Sequence, residues 1–129
     1  MNLVDSSAWL EYFAGGPQAA RFTPVIEAVK DLIVPSIVLL EVSRRILQQR
    51  GDDEVLQVAA VLHQGRVVPL DSALAFSAAQ LGIAHKLPLA DSIILATARQ
   101  FDATIWTMDV DFDGLPDVRF FAKQKPGSG

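Results

Sequence analysis

Four carboxylates stand where apolar segments end. Asp5 closes Asn2-Leu3-Val4, and Glu41 lies six residues after Pro35, which ends Leu32-Ile33-Val34. Asp91 opens the apolar stretch that follows Pro88, and Asp109 ends Thr104-Ile105-Trp106-Thr107-Met108. If the strands run parallel in one α/β sheet, their carboxyl ends share an edge, and ligands bind in the crevice outside that edge. Four acids gathered there repel one another and raise each other's pKa values. A divalent cation removes that conflict, so the pattern predicts a metal site.

Each acid also has a plainer explanation. Asp5 before Ser6-Ser7 is a good helix N-cap. Glu41 can pair with Arg45 across one helical turn, a contact worth about 0.3–0.5 kcal/mol. Asp91 suits the positive end of a helix dipole, and Asp109 suits a turn. Their common placement at one strand-end edge is what the plain explanations leave out. Asp109-Val110-Asp111-Phe112-Asp113-Gly114 begins like a calcium loop, but the twelfth position is Phe120 rather than Glu and a strand precedes it, which excludes an EF-hand. No P-loop, dinucleotide fingerprint or Gly-x-Ser-x-Gly elbow is present. His63, at a polar helix end, and His85, in a loop before Lys86, read as exposed residues rather than ligands. Phe112, Phe120 and Phe121 read as core or dimer contacts rather than base-stacking platforms.

The elements that must position these acids alternate. Leu3-Val4 reads as a strand, followed by a helix from Ser6 to Phe13 that ends at Gly15-Gly16-Pro17. A second helix covers about Gln18 to Val29, with its first turns weakened by Pro24. Leu32-Ile33-Val34 is a buried strand, and a helix runs from Pro35-Ser36 to Arg50. Asp52-Asp53 precede a helix from Glu54 to His63. Arg66 to Leu70 is a third strand. Asp71 or Ser72 caps a helix to about Ala84. Leu89 to Phe101 is a further helix, Ile105-Trp106-Thr107 a fourth strand, and Val118 to Phe121 a short fifth. Strands alternating with helices predict an α/β domain with a mainly parallel sheet of four or five strands. Residues 1–122 form the expected single domain and 123–129 a flexible tail.

Composition narrows the function classes. The 129 residues are 50% hydrophobic, which argues for a packed core. The absence of cysteine excludes disulfides, thiolate metal sites and a cysteine nucleophile. The start lacks the order of a signal peptide, and no apolar run spans a bilayer, so a cytoplasmic protein is expected. A net charge of −4 disfavours nucleic acid at first sight. Of the 15 Asp and Glu, assigning four to a metal leaves eleven, which matches the 11 Lys and Arg. Local clusters such as Arg44, Arg45 and Arg50 then decide what binds. The helix from Ser36 carries Val38, Leu39, Val42, Ile46 and Leu47, a broader apolar set than one core-facing stripe requires, and Tyr12 and Phe13 add to it. Burial against other chains is therefore expected.

Four segments carry a family resemblance. Val4-Asp5-Ser6-Ser7-Ala8-Trp9-Leu10, Pro35-Ser36-Ile37-Val38-Leu39-Leu40-Glu41-Val42, Leu87-Pro88-Leu89-Ala90-Asp91-Ser92-Ile93-Ile94-Leu95-Ala96-Thr97-Ala98 and Thr107-Met108-Asp109-Val110-Asp111-Phe112 occur in that order. The chain resembles PIN-domain ribonucleases, and in particular VapC-type toxins of bacterial toxin–antitoxin pairs. The resemblance covers nearly the whole chain. It implies a three-layer α/β/α sandwich and metal-dependent endoribonuclease activity. It also implies a homodimer and a cognate antitoxin that blocks the site. It makes Asp5, Glu41, Asp91 and Asp109 the acidic cluster that is both catalytic and metal-binding. Ser6 and Thr107 become hydrogen-bonding support, with Asp111 either supporting or simply in the loop. Mg²⁺ or Mn²⁺ suits a few carboxylates and retains several waters. Asp5 and Asp91 are expected to hold the principal ion, with Glu41 and Asp109 acting through water or a second ion.

Two rivals stand beside this reading. One is a non-catalytic PIN-like binding module. The other is a phosphoacceptor receiver domain, in which Asp71 after Val67-Val68-Pro69-Leu70 would be the acceptor. The late lysines, Lys123 and Lys125, fall in the tail, which counts against the receiver.

Overall fold

Short β-branched runs form the strands: β1 (Asn2–Val4), β2 (Leu32–Pro35), β3 (Arg66–Val68), β4 (Thr104–Thr107) and β5 (Val118–Phe120). In the computed structural model, which describes residues 1–124, they build one sheet in the order β3-β2-β1-β4-β5. Every pairing is parallel. β2 is buried along its whole length, as a parallel strand covered on both faces must be. Six helices make the connections: α1 (Ser6–Ala14), α2 (Ala19–Glu27), α3 (Ser36–Gln49), α4 (Asp52–Leu62), α5 (Ser72–His85) and α6 (Leu89–Gln100). From β1 the chain moves through β2 to β3, then crosses back to β4 on the other side of β1. Because parallel crossovers are right-handed, that reversal puts helices on both faces of the sheet. The result is the three-layer α/β/α sandwich. It also creates a switch point between β1 and β4, where the first turns after neighbouring strands diverge.

Boundaries differ from the sequence reading in ways that local chemistry explains. β3 stops at Val68 because Pro69 has no N–H to give the ladder. α4 starts at Asp52, so Asp52, Asp53 and Glu54 all lie within its first turn, beside the positive end of its dipole. α2 ends at Glu27 with Pro24 inside it, and a 3-10 turn, Val29–Asp31, leads into β2. His85 belongs to the last turn of α5 rather than to a loop. Gly15 terminates α1 in the left-handed conformation (φ 63°), donating back to Glu11 and Tyr12, a geometry glycine adopts without steric cost. Asp71, not Ser72, caps α5 by accepting from the Leu74 N–H. Of the expected tail 123–129, residues 125–129 lie outside the described residues.

The core is led by Trp9, Phe22 and Phe112, all fully buried. Phe120 and Phe121 are half-buried, and Phe121 stacks on Trp106. α6 is buried without interruption from Asp91 to Ala98, so it is a central helix with no solvent stripe. It touches α3, α5, β2 and β4. Its approach to α5 is tight at Gly82, where a Cβ would come within 2.3 Å of Ser92 Oγ. On α3 the core stripe is Val38, Val42 and Ile46, while Leu40 and Leu47 face solvent. No single helix among the described residues is long and apolar enough to cross a membrane. The pair α5 and α6 passes on composition together but is bent by 112°.

Candidate metal centre

The connections after β1, β2 and β4, together with the start of α6, deliver one acid each to the carboxyl edge of the sheet. Asp5, Glu41, Asp91 and Asp109 all line one cavity of about 720 Å³. Asp5 follows β1 directly, and its backbone N–H donates to Trp106 of the neighbouring β4 at 3.1 Å. Asp109 follows β4 by two residues. The site thus sits at the sheet's switch point.

Asp5 performs two tasks at once. One carboxylate oxygen accepts from the Ala8 N–H (3.0 Å) and the Ser7 hydroxyl (2.7 Å), which caps α1. The other accepts from Thr107 Oγ1 at 2.5 Å. The N-cap explanation and the site explanation are therefore both true of the same side chain. Thr107 is fully buried and also accepts from the Asp109 N–H (2.8 Å), so one hydroxyl fixes two acidic segments. Ser7 ties a second link, because its oxygen accepts from the Met108 N–H at 3.0 Å. Ser6 turns instead to Glu41, donating to Oε1 at 2.6 Å. That contact takes Glu41 away from the Arg45 pairing its spacing allows. Ser7 was not singled out in the sequence, where nothing in Asp5-Ser6-Ser7 distinguishes the two hydroxyls.

Asp91, Asp109 and Asp111 each place a carboxylate oxygen within 4.8 Å of the others, a grouping that can hold one ion. Asp111 is brought there because its N–H donates to Asp109 Oδ1 (2.9 Å) in the 3-10 turn Val110–Phe112. Asp5 and Glu41 lie in the same cavity but outside that triplet, each already holding hydroxyl donors.

The electrostatics are those of a site short of positive charge. Asp5 is 2% exposed, and burial raises its pKa to about 6 against the opposing pull of Thr107, Ser7 and the Ala8 N–H. Asp91 is 8% exposed and is pushed to about 8, first by burial and then by the carboxylates of Asp109, Asp5 and Asp111. No basic side chain forms an ion pair with any of these acids among the described residues. Buried carboxylates are normally paired or coordinate metals. The donor set is all oxygen, which fits Mg²⁺ or Mn²⁺ better than softer ions.

Fold and site together define an all-parallel α/β domain with an acidic cavity at its switch point. The PIN domain family model matches residues 3–118, and the chain belongs to the PIN-domain family. Among solved structures it is similar to a chain of a toxin–antitoxin complex from Klebsiella pneumoniae. That match has a TM-score of 0.81 and 23% identity, covering 95% of this chain and 100% of the other. It is also similar to VapC20 of Mycobacterium tuberculosis, a sarcin–ricin loop cleaving toxin (TM-score 0.74, 18% identity, 90% of this chain and 95% of the other). A third likeness is to VapBC2 from Rickettsia felis, solved with a promoter DNA fragment (TM-score 0.71, 12% identity, 94% of this chain and 97% of the other). At these identities the structural likeness speaks for the fold. No match is found among curated proteins.

Proposed function

We propose that the protein is a metal-dependent endoribonuclease and the toxin of a VapBC-type toxin–antitoxin pair. The observation that carries the proposal is the meeting of buried Asp5 and Asp91 with half-buried Asp109 in one cavity, with no basic partner among the described residues. Asp91, Asp109 and Asp111 are the residues that would hold a Mg²⁺ or Mn²⁺ ion, with Asp5 and Glu41 beside it. Bound there, such an ion would supply the positive charge that polarises a phosphodiester oxygen and lowers the pKa of a water nucleophile. The chain's own residues supply position. Thr107 holds Asp5 and the Asp109 backbone at fixed separation, Ser7 pins Met108 to Asp5, and Ser6 aims Glu41 into the cavity. Asp5 and Asp91 must both be ionised for this, which burial and the neighbouring carboxylates oppose and a bound cation would secure.

Solved neighbours support the toxin reading by what they are: a toxin–antitoxin complex and a sarcin–ricin loop cleaving toxin. The partners follow from the same family. An antitoxin segment would close the cavity. A second copy would cover exposed apolar side chains such as Phe76, Ile83 and Leu89, which are 69%, 82% and 83% exposed. RNA cleavage that needs Mg²⁺ or Mn²⁺ and stops with EDTA is the decisive test. Full activity in excess chelator would refute metal dependence, and absence of cleavage with either metal would favour a binding module.

A further inference from the structure

The cavity that holds the acids does not end with them. Along α3, Glu41, Arg44, Arg45, Gln48 and Gln49 stand at intervals of three, four, seven and eight residues from Glu41, and all five line the same cavity. Those intervals place them on one helical face. Helical rise puts the two arginines about 5 Å beyond Glu41 along the axis. α1 packs beside α3 and forms the facing wall with Leu10 and Phe13. The groove therefore has an acidic floor at one end and a basic and amide wall running away from it.

The arginines are available. Glu41 is the natural intrahelical partner of both, yet it accepts from Ser6 instead. Neither Arg44 nor Arg45 forms an ion pair among the described residues, and both are exposed. Arg50, further along, is engaged with Glu54 at 3.8 Å. An acidic peptide would find the arginines but meet repulsion at the floor. A neutral peptide would leave two guanidiniums uncompensated. A polyanion would suit both ends if the acids held a divalent cation, since its successive phosphates would then meet positive charge along the groove. One helical turn is comparable to the spacing of successive phosphates on an extended single strand.

We infer that Arg44 and Arg45 are positioning residues that bind the backbone phosphates adjoining the scissile bond, so that single-stranded RNA enters along α3. The inference rests on the nuclease reading and adds the direction and footing of the substrate. Contacts of this kind fix register without reading bases. They make binding salt-dependent, with a slope near 0.7 per phosphate contacted on a single strand.

The test uses the full chain with Mn²⁺ for cleavage and Ca²⁺ for binding, and a labelled mixed-sequence single-stranded RNA as probe. Arg44→Ala with Arg45→Ala should raise KM roughly tenfold or more while kcat stays near wild type. The slope of log K against log salt should fall by about 1.4 for two lost contacts. Arg44→Lys with Arg45→Lys should keep most of the wild-type salt slope, since a point charge suffices for a phosphate. Arg99→Ala, at a cavity near the start of β4, serves as control and should change nothing. Alanine is a better helix former than arginine and both sites are exposed, so circular dichroism should report an unaltered fold. Unchanged KM and slope in the double variant, with wild-type cleavage intact, would overturn this inference and leave the nuclease reading standing. The same unchanged RNA behaviour with weakened antitoxin binding would assign the arginines to a protein partner, and also overturns it. A wild-type chain that neither binds nor cleaves the probe would overturn both.

Discussion

Replacing Asp5 by asparagine should stabilise the metal-free protein at pH 8 while eliminating metal-dependent cleavage. Burial raises the Asp5 pKa from 3.8 to about 6. A carboxylate with a raised folded-state pKa binds its proton more tightly in the native state than in the unfolded chain. Its contribution to stability is therefore fully present below pH 3.8 and is lost as pH rises through about 6. A shift of about two units at 1.36 kcal/mol each corresponds to roughly 3 kcal/mol lost by pH 8. Asparagine avoids that loss and still caps α1, since Asn and Asp serve equally as N-caps. It does disturb the Thr107 hydroxyl, which now donates to Asp5 and accepts from the Asp109 N–H, at a cost of about 1 kcal/mol. Removing the Asp5 charge also relieves Asp91, whose own pKa it helps to raise. The net expectation is a gain of about 1–2 kcal/mol at pH 8 and a small loss at pH 4, with the two stability curves crossing between. Urea unfolding in EDTA across that range measures this, with the wild-type minus variant difference reporting Asp5 together with its effect on Asp91. A variant less stable at pH 8 by the same margin as at pH 4 would refute the reasoning, because the carboxylate would then be a structural cap with no electrostatic penalty.

Metal binding must expel the protons held by Asp5 and Asp91, so the apparent Mn²⁺ affinity should climb from pH 5.5 to about 8, as read by calorimetry in buffers of different ionisation enthalpy. Mn²⁺ at a hundred times its Kd should raise wild-type stability by about 2.7 kcal/mol, and Asp91→Asn should remove most of that response in a thermal scan. Asp111→Asn should weaken Mn²⁺ binding by about tenfold or more if its carboxylate joins Asp91 and Asp109 at the ion; unchanged affinity would return Asp111 to a loop role. Thr107→Val should lower both Mn²⁺ affinity and cleavage, whereas Thr107→Ser should keep both, which activity and binding assays on the pair decide. Gly82→Ala should cost about 1–3 kcal/mol despite alanine's better helix propensity, because its Cβ displaces Ser92 and the first turn of α6; unfolding midpoints check this, and a neutral result would mean α6 shifts freely.

Much of the fold was legible in the chain because the local signals agree with one another. Apolar runs too short for helices, punctuated by Pro35, Pro69 and the Gly15 turn, set five strands and six helices within a residue or two at most boundaries. The placement of Asp5 and Asp109 just past β1 and β4 was legible for the same reason, since a strand's end is a local property, whereas Glu41 sits inside α3 and Asp91 in the first turn of α6. Sequence could not say which strands are neighbours. The order β3-β2-β1-β4-β5 depends on where crossover helices bury their apolar faces, and it alone brings Asp5 beside Thr107 and Asp109, more than a hundred residues later. It also could not divide labour among hydroxyls, because Ser6 and Ser7 differ only in the side of α1 they occupy. Tertiary packing sends one to Glu41 and the other to Asp5 and Met108. Asp111 was equally undetermined until the 3-10 turn folded it back toward Asp91. The chain thus encodes its acids and their elements locally. Their convergence and their raised pKa values exist only once tertiary packing has ordered the strands and burial has removed the water that would screen each charge from the others.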